Sequence, residues 1–486
     1  MILDTIPYLV KSQTHVMIQV SYIIVLSSLL ISITGFGQGF FIQFGDSRYA
    51  TQGGGIYQHT DSTIYVSGFQ EDDLAKAEPV IYLFDQYGEE QWTVDYQSPH
   101  SEYTFDIAYM DEYLYLAGQR WDSITGLSSG LVLKVDMAGN LIWRSVLDEL
   151  PKETSFRGIT AANGKICSVG YISDLNNNNN NAFIWVIDTN GNEVWRKEIN
   201  TIQNSYSQDV VTDGNNFYVS NDKQKANFEY SFFVASFSLS GAQRWCDTIV
   251  TPYNTGCQNL EIAANELWVT GESSTATTLF YDPFISRFDT TSGNILGTKY
   301  LPYTNKAESA FDLSPINGNQ FYFTGYGWNA INQTNDIIVG VADTAGSIFS
   351  TAFYGFESID IGFDIIPALS GGKLICGETR SDGDRFGTLI HVYDPLYLDV
   401  LLSIKPNQPI VINTLVDNGT IHFYNSPAKG WTAQLYSLEG RIVFSSSNVK
   451  NKMEIPTDIV NGTYVLVLNG YSSNPIAQKV TIVSGN

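Results

Sequence analysis

The sequence predicts an all-β chain: a seven-bladed β-propeller closed by an N-terminal strand in its last blade, then a small C-terminal Ig-like β-sandwich. Three observations carry that reading. The composition sets 29 Tyr, 27 Phe and 41 Gly against 15 Pro in 486 residues, which suits short aromatic strands punctuated by glycine turns. Several markers return at a step of roughly fifty residues, a period in the range of propeller blades and too long for leucine-rich or tetratricopeptide units. The step stops near residue 400, where a different series of short strands begins.

The first element is the apolar run Tyr22 to Ile33, followed by Thr34-Gly35-Phe36-Gly37-Gln38. With Lys11 the only basic residue before it, this is the layout of a signal peptide, which assigns residues 1–38 to export. The run is shorter than the ~30 Å hydrocarbon core demands, so the mature chain is expected to lack a transmembrane helix. A formal net charge of −24 repels phosphate backbones and sets nucleic acid aside as a partner.

The propeller is expected over residues 39–400. Its first marker is an apolar run ending in glycine: Ile64-Tyr65-Val66-Ser67-Gly68, Leu114-Tyr115-Leu116-Ala117-Gly118, Leu267-Trp268-Val269-Thr270-Gly271, Phe321-Tyr322-Phe323-Thr324-Gly325 and Leu374-Ile375-Cys376-Gly377. Weaker copies end at Gly170 and Asn221, which makes seven. A second marker, Asp85…Gly88…Trp92, recurs through Asp136…Gly139…Trp143, Asp188…Gly191…Trp195 and Gly241…Trp245, then without tryptophan at Asp289…Gly293 and Asp343…Gly346. Asp at a turn start bonds backbone amides, glycine supplies positive φ, and the indole covers its neighbours. A third marker, Phe105-Asp106-Ile107, Gln208-Asp209-Val210, Phe311-Asp312-Leu313 and Phe363-Asp364-Ile365, opens the innermost strands. Repetition of Asp106, Asp209, Asp312 and Asp364 at one blade position points to scaffold bonding rather than catalysis.

The seventh copy stops at Val392-Tyr393-Asp394-Pro395 with no outer strand. Phe40-Phe41-Ile42-Gln43-Phe44-Gly45 is similar to the outer-strand stretch Thr351-Ala352-Phe353-Tyr354-Gly355 and is expected to supply it. Over about residues 40 to 400 the pattern resembles the quinoprotein-like and seven-bladed repeat families of bacterial propellers, the Asp…Gly…Trp turn being similar to a tryptophan-docking motif. No adjacent-cysteine pair or other quinoprotein site signature accompanies it, so no cofactor is expected.

In residues 401–486, Lys405-Pro406-Asn407-Gln408-Pro409, Leu435 to Val443, Ile459 to Leu466 and Gln478 to Val483 follow one another in order. They resemble the type A sorting domain of the type IX (Por) secretion system, with Pro406, Asn407, Gly440, Arg441, Gly462, Tyr464 and Lys479 at its motif positions. Gln408 interrupts the usual Pro-Asn-Pro, and Arg441 stands for the usual lysine. The resemblance implies outer-membrane passage by the type IX machinery, with the propeller as cargo secreted to, or held at, the cell surface.

Cys246 and Cys257 lie close enough in sequence to bridge one inter-blade connection in an exported chain. Cys167 and Cys376, inside strand-like runs, read as buried core. Asp188 to Glu193 superficially resembles a calcium loop but reads as a hairpin turn, and the tract Asn176 to Asn181 reads as an exposed loop. Four histidines in the exported part, His59, His100, His391 and His422, have no triad spacing, and no His/Cys cluster suggests zinc.

Long loops on the face shared by the B–C and D–A connections are the default place for binding residues. The candidates there are Glu71, Arg120, Trp121, Asp122, Tyr326, Trp328, Glu378 and Arg380, with Asp72, Asp73, Asp222, Lys223, Asp384 and Arg385 beside them. Aromatic faces next to arginines and carboxylates suit a glycan or a peptide. The expected function is a cell-surface or released binding protein of adhesion type. The alternatives are a carboxylate-based glycan hydrolase or lyase and a structural matrix component.

Overall fold

The computed structural model describes residues 40–392, apart from 46–49, 73–74, 150, 175–178, 200–202, 228, 250–253, 275–279, 303–305, 317, 331–332, 357 and 382–383, together with seven strands and residues 456 and 459 between 413 and 482. Every regular element among them is a strand.

Seven four-stranded antiparallel sheets form the blades of a propeller. Their inner strands are Ala50–Thr60, Ser101–Met110, Thr154–Ala162, Ser205–Thr212, Thr255–Ala263, Ser309–Pro315 and Ile361–Pro367. The second strands carry the first sequence marker, and the outer strands of the first four blades carry the tryptophans. Blade 7 is completed from the other end of the chain: Phe41–Phe44 pairs antiparallel with Asp384–Val392, Phe41 opposite Ile390 and Phe44 opposite Gly387. The N-terminal strand therefore closes the ring as expected, and the sheet array has no incomplete blade.

The core is divided among the seams between blades. Each of the seven seams holds its own cluster of buried side chains, as where Met110, Tyr115 and Val132 of blade 2 meet Phe156, Ile166 and Trp185 of blade 3. Fully burying one such side chain is worth about 1.5–3 kcal/mol. Cys167 and Cys376 are buried in two of these clusters, as read from the sequence.

The Asp…Gly turns join third to outer strands, and each Asp caps its turn. Asp188 Oδ1 accepts the backbone N–H of Asn190 and of Asn192, both at 2.9 Å; Asp136 does the same for Ala138 and Asn140. The calcium-like run is thus a hairpin turn. The tryptophans then join blade to blade: the indole N–H of Trp143, Trp195 and Trp245 donates to the carbonyl of Thr189, Leu239 and Thr290 in the next blade's turn, at 3.0–3.1 Å.

Two expectations are corrected. Cys246 and Cys257 are both free thiols. Cys246 is exposed on the outer strand of blade 4, whereas Cys257 is buried on the inner strand of blade 5, so the two are separated by about three strand spacings of roughly 4.8 Å. The asparagine tract is not wholly a loop either. Residues 176–178 lie outside the described residues, but Asn179–Asp188 is a strand in which buried Asn181 donates to Glu198 at 2.7 Å.

In the C-terminal region, Asn413–Asp417, Thr420–Tyr424 and Lys452–Glu454 form a three-stranded sheet. Ile442–Val449, Trp431–Tyr436, Gly462–Gly470 and Ser473–Ile482 form a four-stranded one. Gly462, Tyr464 and Lys479 fall in its last two strands, Tyr464 opposite Val480. Pro406, Asn407, Gly440 and Arg441 lie outside the described residues, as do Asp73 and residues 1–38, where a signal peptide is expected.

Candidate functional site at the mouth of the propeller channel

All seven inner strands slip register at the same place. The shift lies between Gly53 and Gly55, Thr104 and Asp106, Phe156 and Gly158, Ser207 and Asp209, Cys257 and Asn259, Ala310 and Asp312, and Gly362 and Asp364. One residue per blade is therefore extra, and a β-bulge of this kind re-aims a side chain out of the ladder. The extra residues are Gly54, Phe105, Arg157, Gln208, Gln258, Phe311 and Phe363, and all of them line a central cavity of about 610 Å³.

The bulge also explains the first sequence marker. A Cβ on Gly118 would lie 1.8 Å from the Tyr103 carbonyl oxygen, and one on Gly170 would lie 1.9 Å from that of Ser155. In those blades the marker glycine lies within the strand, opposite the bulge, rather than at the strand's end, whereas blade 4 has buried Asn221 in that place.

Beside four of the seven bulges, those of blades 2, 4, 6 and 7, a recurrent aspartate bonds the neighbouring blade. Asp106 Oδ2 accepts the Ile159 N–H at 2.7 Å, Asp209 that of Leu260 at 2.9 Å, Asp312 that of Ile365 at 2.7 Å and Asp364 that of Ile56 at 2.8 Å. Their scaffold role is as read from their repetition. Burial pushes these carboxyls up: Asp209 to about 6, and Asp106 and Asp312 well above the usual carboxylate range, with neighbouring aspartates adding to the rise. Glu261, also in the channel, is pushed up to about 7, chiefly by burial.

The mouth is two-sided. Blades 6, 7, 1 and 2 present Phe311, Phe363, Gly54 and Phe105, with Phe311 and Phe363 edge to face at 5.6 Å. Blades 3, 4 and 5 present exposed Arg157 and half-buried Gln208 and Gln258. From that polar arc a side pocket of about 330 Å³ opens between blades 4 and 5, lined by Tyr206, Tyr230 and Tyr281 among others. Gln208 Nε2 donates to Asp222 Oδ2 at 2.7 Å, and Asp222 Oδ1 accepts the Cys257 N–H at 2.8 Å. Burial holds the Asp222 carboxyl up at about 6. The arrangement offers ring faces on one side and directional donors and acceptors on the other.

The expected rim residues have mixed placements. Trp121 is 40% exposed and lines a third pocket, about 440 Å³, with His100 and Tyr103. Tyr326 packs 6.1 Å from Phe311, and burial with the nearby Glu272 raises its phenol to about 12. Lys306 sits 5.0 Å over the Trp328 ring. Buried Glu378 is held by Arg380 at 3.2 Å and Arg385 at 3.5 Å, Arg120 pairs with Asp148 at 3.5 Å, and Asp122 caps a turn through the Ile124 N–H at 2.8 Å. Glu71 ends the second strand of blade 1 and bonds Tyr103. The bulge residues themselves were missed as a set. Their signal was the residue before each marker Asp, continued in Gly54-Gly55-Ile56, Arg157-Gly158-Ile159 and Gln258-Asn259-Leu260.

No family model matches this chain. No curated protein matches it either. Among solved structures, an ulvan lyase of a new polysaccharide-lyase family, bound to -[GlcA(1-4)Rha3S]-, shares 12% identity at a TM-score of 0.49, covering 72% of this chain and 96% of its own. The polysaccharide lyase Uly1 shares 11% at 0.43, over 76% and 95%. The β-propeller domain of the Trilobed protease from Pyrococcus furiosus shares 9% at 0.42, over 71% and 94%. No residue role is carried over from them; the seven-bladed assignment stands on the sheet topology above. Among the described residues, no group of three or more His, Cys, Asp and Glu is arranged to hold a metal ion, and no helix is long and apolar enough to cross a membrane.

Proposed function

We propose that this chain is an exported carbohydrate-binding propeller that holds its ligand at the channel mouth. The observation that carries the reading is the two-sided ring of bulge residues, Phe105, Phe311 and Phe363 facing Arg157, Gln208 and Gln258. A sugar has the matching duality, with C–H faces that stack on aromatic rings and hydroxyls that take directional hydrogen bonds. The side pocket supports a glycan over a peptide, because its lining is tyrosine, amide, carboxyl and guanidinium with no aliphatic side chain.

The resemblance of residues 401–486 to a type IX sorting domain supports export, and the strands found there suit the β-sandwich form of such a domain. Deleting that region in the producing cell is expected to leave the propeller behind the outer membrane. Its undiminished appearance outside would overturn the sorting reading.

The binding test is retention of the purified chain on a panel of immobilised polysaccharides, with Gln208→Ala and Phe311→Ala alongside. Selective retention weakened at least tenfold in both variants is expected; retention indifferent to both would place the site elsewhere. Glu261 favours a second reading. A channel carboxyl poised at about 7 is what a general acid needs near neutral pH. Release of sugar ends from the panel, abolished in Glu261→Gln, would make the chain a glycan hydrolase or lyase.

A further inference from the structure

We infer that the site takes an extended, uncharged linear glycan strand crossing the propeller face, rather than a single sugar, with Trp121 as a stacking platform at one end. This deepens the carbohydrate reading and rests on it.

Three cavities share walls. Gln119 lines both the pocket beneath Trp121, between blades 1 and 2, and the central mouth. Arg157, Gln208 and Gln258 line both the mouth and the side pocket between blades 4 and 5. All three open on the face formed by the ends of the second strands. Each alone, at about 440, 610 and 330 Å³, falls within the about 300–1,000 Å³ of a small-ligand pocket. Joined through common residues, they form a path from blade 1 across the axis to blade 5, which suits a chain molecule.

The two ends of the path are chemically suited to sugar units. At one end, Trp121 is left 40% exposed beside Pro99, His100 and Tyr103, an aromatic plane with no protein group covering that part of its surface. At the other end, the Tyr281 hydroxyl accepts from Asn254 Nδ2 at 2.9 Å and Tyr206 takes Asn180 Nδ2 at 3.2 Å, a lining of hydroxyls and amides that matches sugar hydroxyls. The charge selects the class of strand. A net charge of −24 disfavours a polyanion at long range, and the single arginine of the mouth stands near the Asp222 carboxylate.

The test uses the purified full chain and isothermal titration with gluco-, manno- and xylo-oligosaccharides from disaccharide to octasaccharide, with oligogalacturonates of equal length. Affinity is expected to rise with length in a neutral series. Trp121→Ala is expected to weaken the octasaccharide about three- to tenfold while leaving the disaccharide unchanged, and Trp121→Tyr to restore most of the loss. An unchanged melting temperature of Trp121→Ala would confirm that the fold is intact. Equal affinity for all lengths with a silent Trp121→Ala would overturn the extended strand and leave the mouth site standing. Preference for oligogalacturonates would overturn the uncharged class. Binding of none of these sugars, together with selective capture of a peptide, would overturn this inference and the carbohydrate reading together.

Discussion

Trp195 shows how one side chain holds two blades. Its indole N–H donates to Leu239 at 3.0 Å, and its ring lies against the turn glycine Gly241, where an added Cβ would meet the ring at 2.9 Å. Gly241 has φ of +89°, a backbone that side chains other than glycine rarely adopt. The same pair recurs as Trp92 with Gly139, Trp143 with Gly191 and Trp245 with Gly293. At ring closure Phe40 takes the tryptophan's place against Gly88, at 2.8 Å from the position of a Cβ. Trp195→Phe keeps an aromatic ring but loses the pyrrole ring with its hydrogen bond, so chemical denaturation should show a loss of about 1–3 kcal/mol. Gly241→Ala meets both the strained φ and the indole, and should cost about 1–3 kcal/mol. If Gly241→Ala were neutral, the seam would not depend on this contact.

At the scale of the strand, the N-terminal segment is the most consequential element. Phe44 is 5% exposed and packs 4.5 Å from Tyr82 and 5.2 Å from Phe84, so the strand that completes blade 7 also fills the seam with blade 1. Phe44→Ala is expected to cost about 3–5 kcal/mol, and deleting residues 40–45 to lower the melting temperature of the whole propeller; an unchanged melting temperature would refute closure by this strand. Closure was legible in the sequence because the missing outer strand at Pro395 and the surplus one at Phe40 are complementary defects in a periodic pattern. The aspartate role was legible for the same reason, since four copies at one position cannot each be a catalyst. The bulge was not legible as such, because register is a property of two strands and each strand alone carries only an indirect trace of it. The marker glycines were its trace, visible as Gly118 and Gly170 but read as strand ends. The Cys246–Cys257 pairing failed because proximity in sequence there spans a whole blade, from outer strand to the next inner strand. Of the expected rim, Trp121 lines a cavity and Tyr326 packs against the mouth residue Phe311, while Glu378, Arg380 and Asp122 serve ion pairs and turns whose partners sequence alone does not identify.

Across the whole molecule, the buried carboxyls of the channel and its face set how stability depends on pH. Asp209, Asp222 and Asp360 are raised to about 6 and Glu261 to about 7, in each case mainly by burial, and Asp106, Asp312 and Asp364 move in the same direction. Their ordinary values are 3.8 for Asp and 4.5 for Glu. Between the ordinary and the raised values the folded chain holds more protons than the unfolded one, so stability rises as pH falls through that window. Asp136, Asp188 and Asp289 oppose this at lower pH, because hydrogen bonds in their turns hold them below 3.8, and the stability they contribute is lost as they protonate. The melting temperature is therefore expected to climb from about pH 7.5 to about pH 5 and to fall below about pH 4. Asp209→Asn should flatten the upper limb, since it removes one of the groups that take up a proton there, at the cost of weakening its bonds to Val210 and Leu260. Thermal melts at constant ionic strength read both effects. A melting temperature that fell steadily from neutral pH downward would mean that the channel carboxyls are not held protonated by the fold, and that the inner ring is stabilised by ionised aspartates accepting from backbone amides.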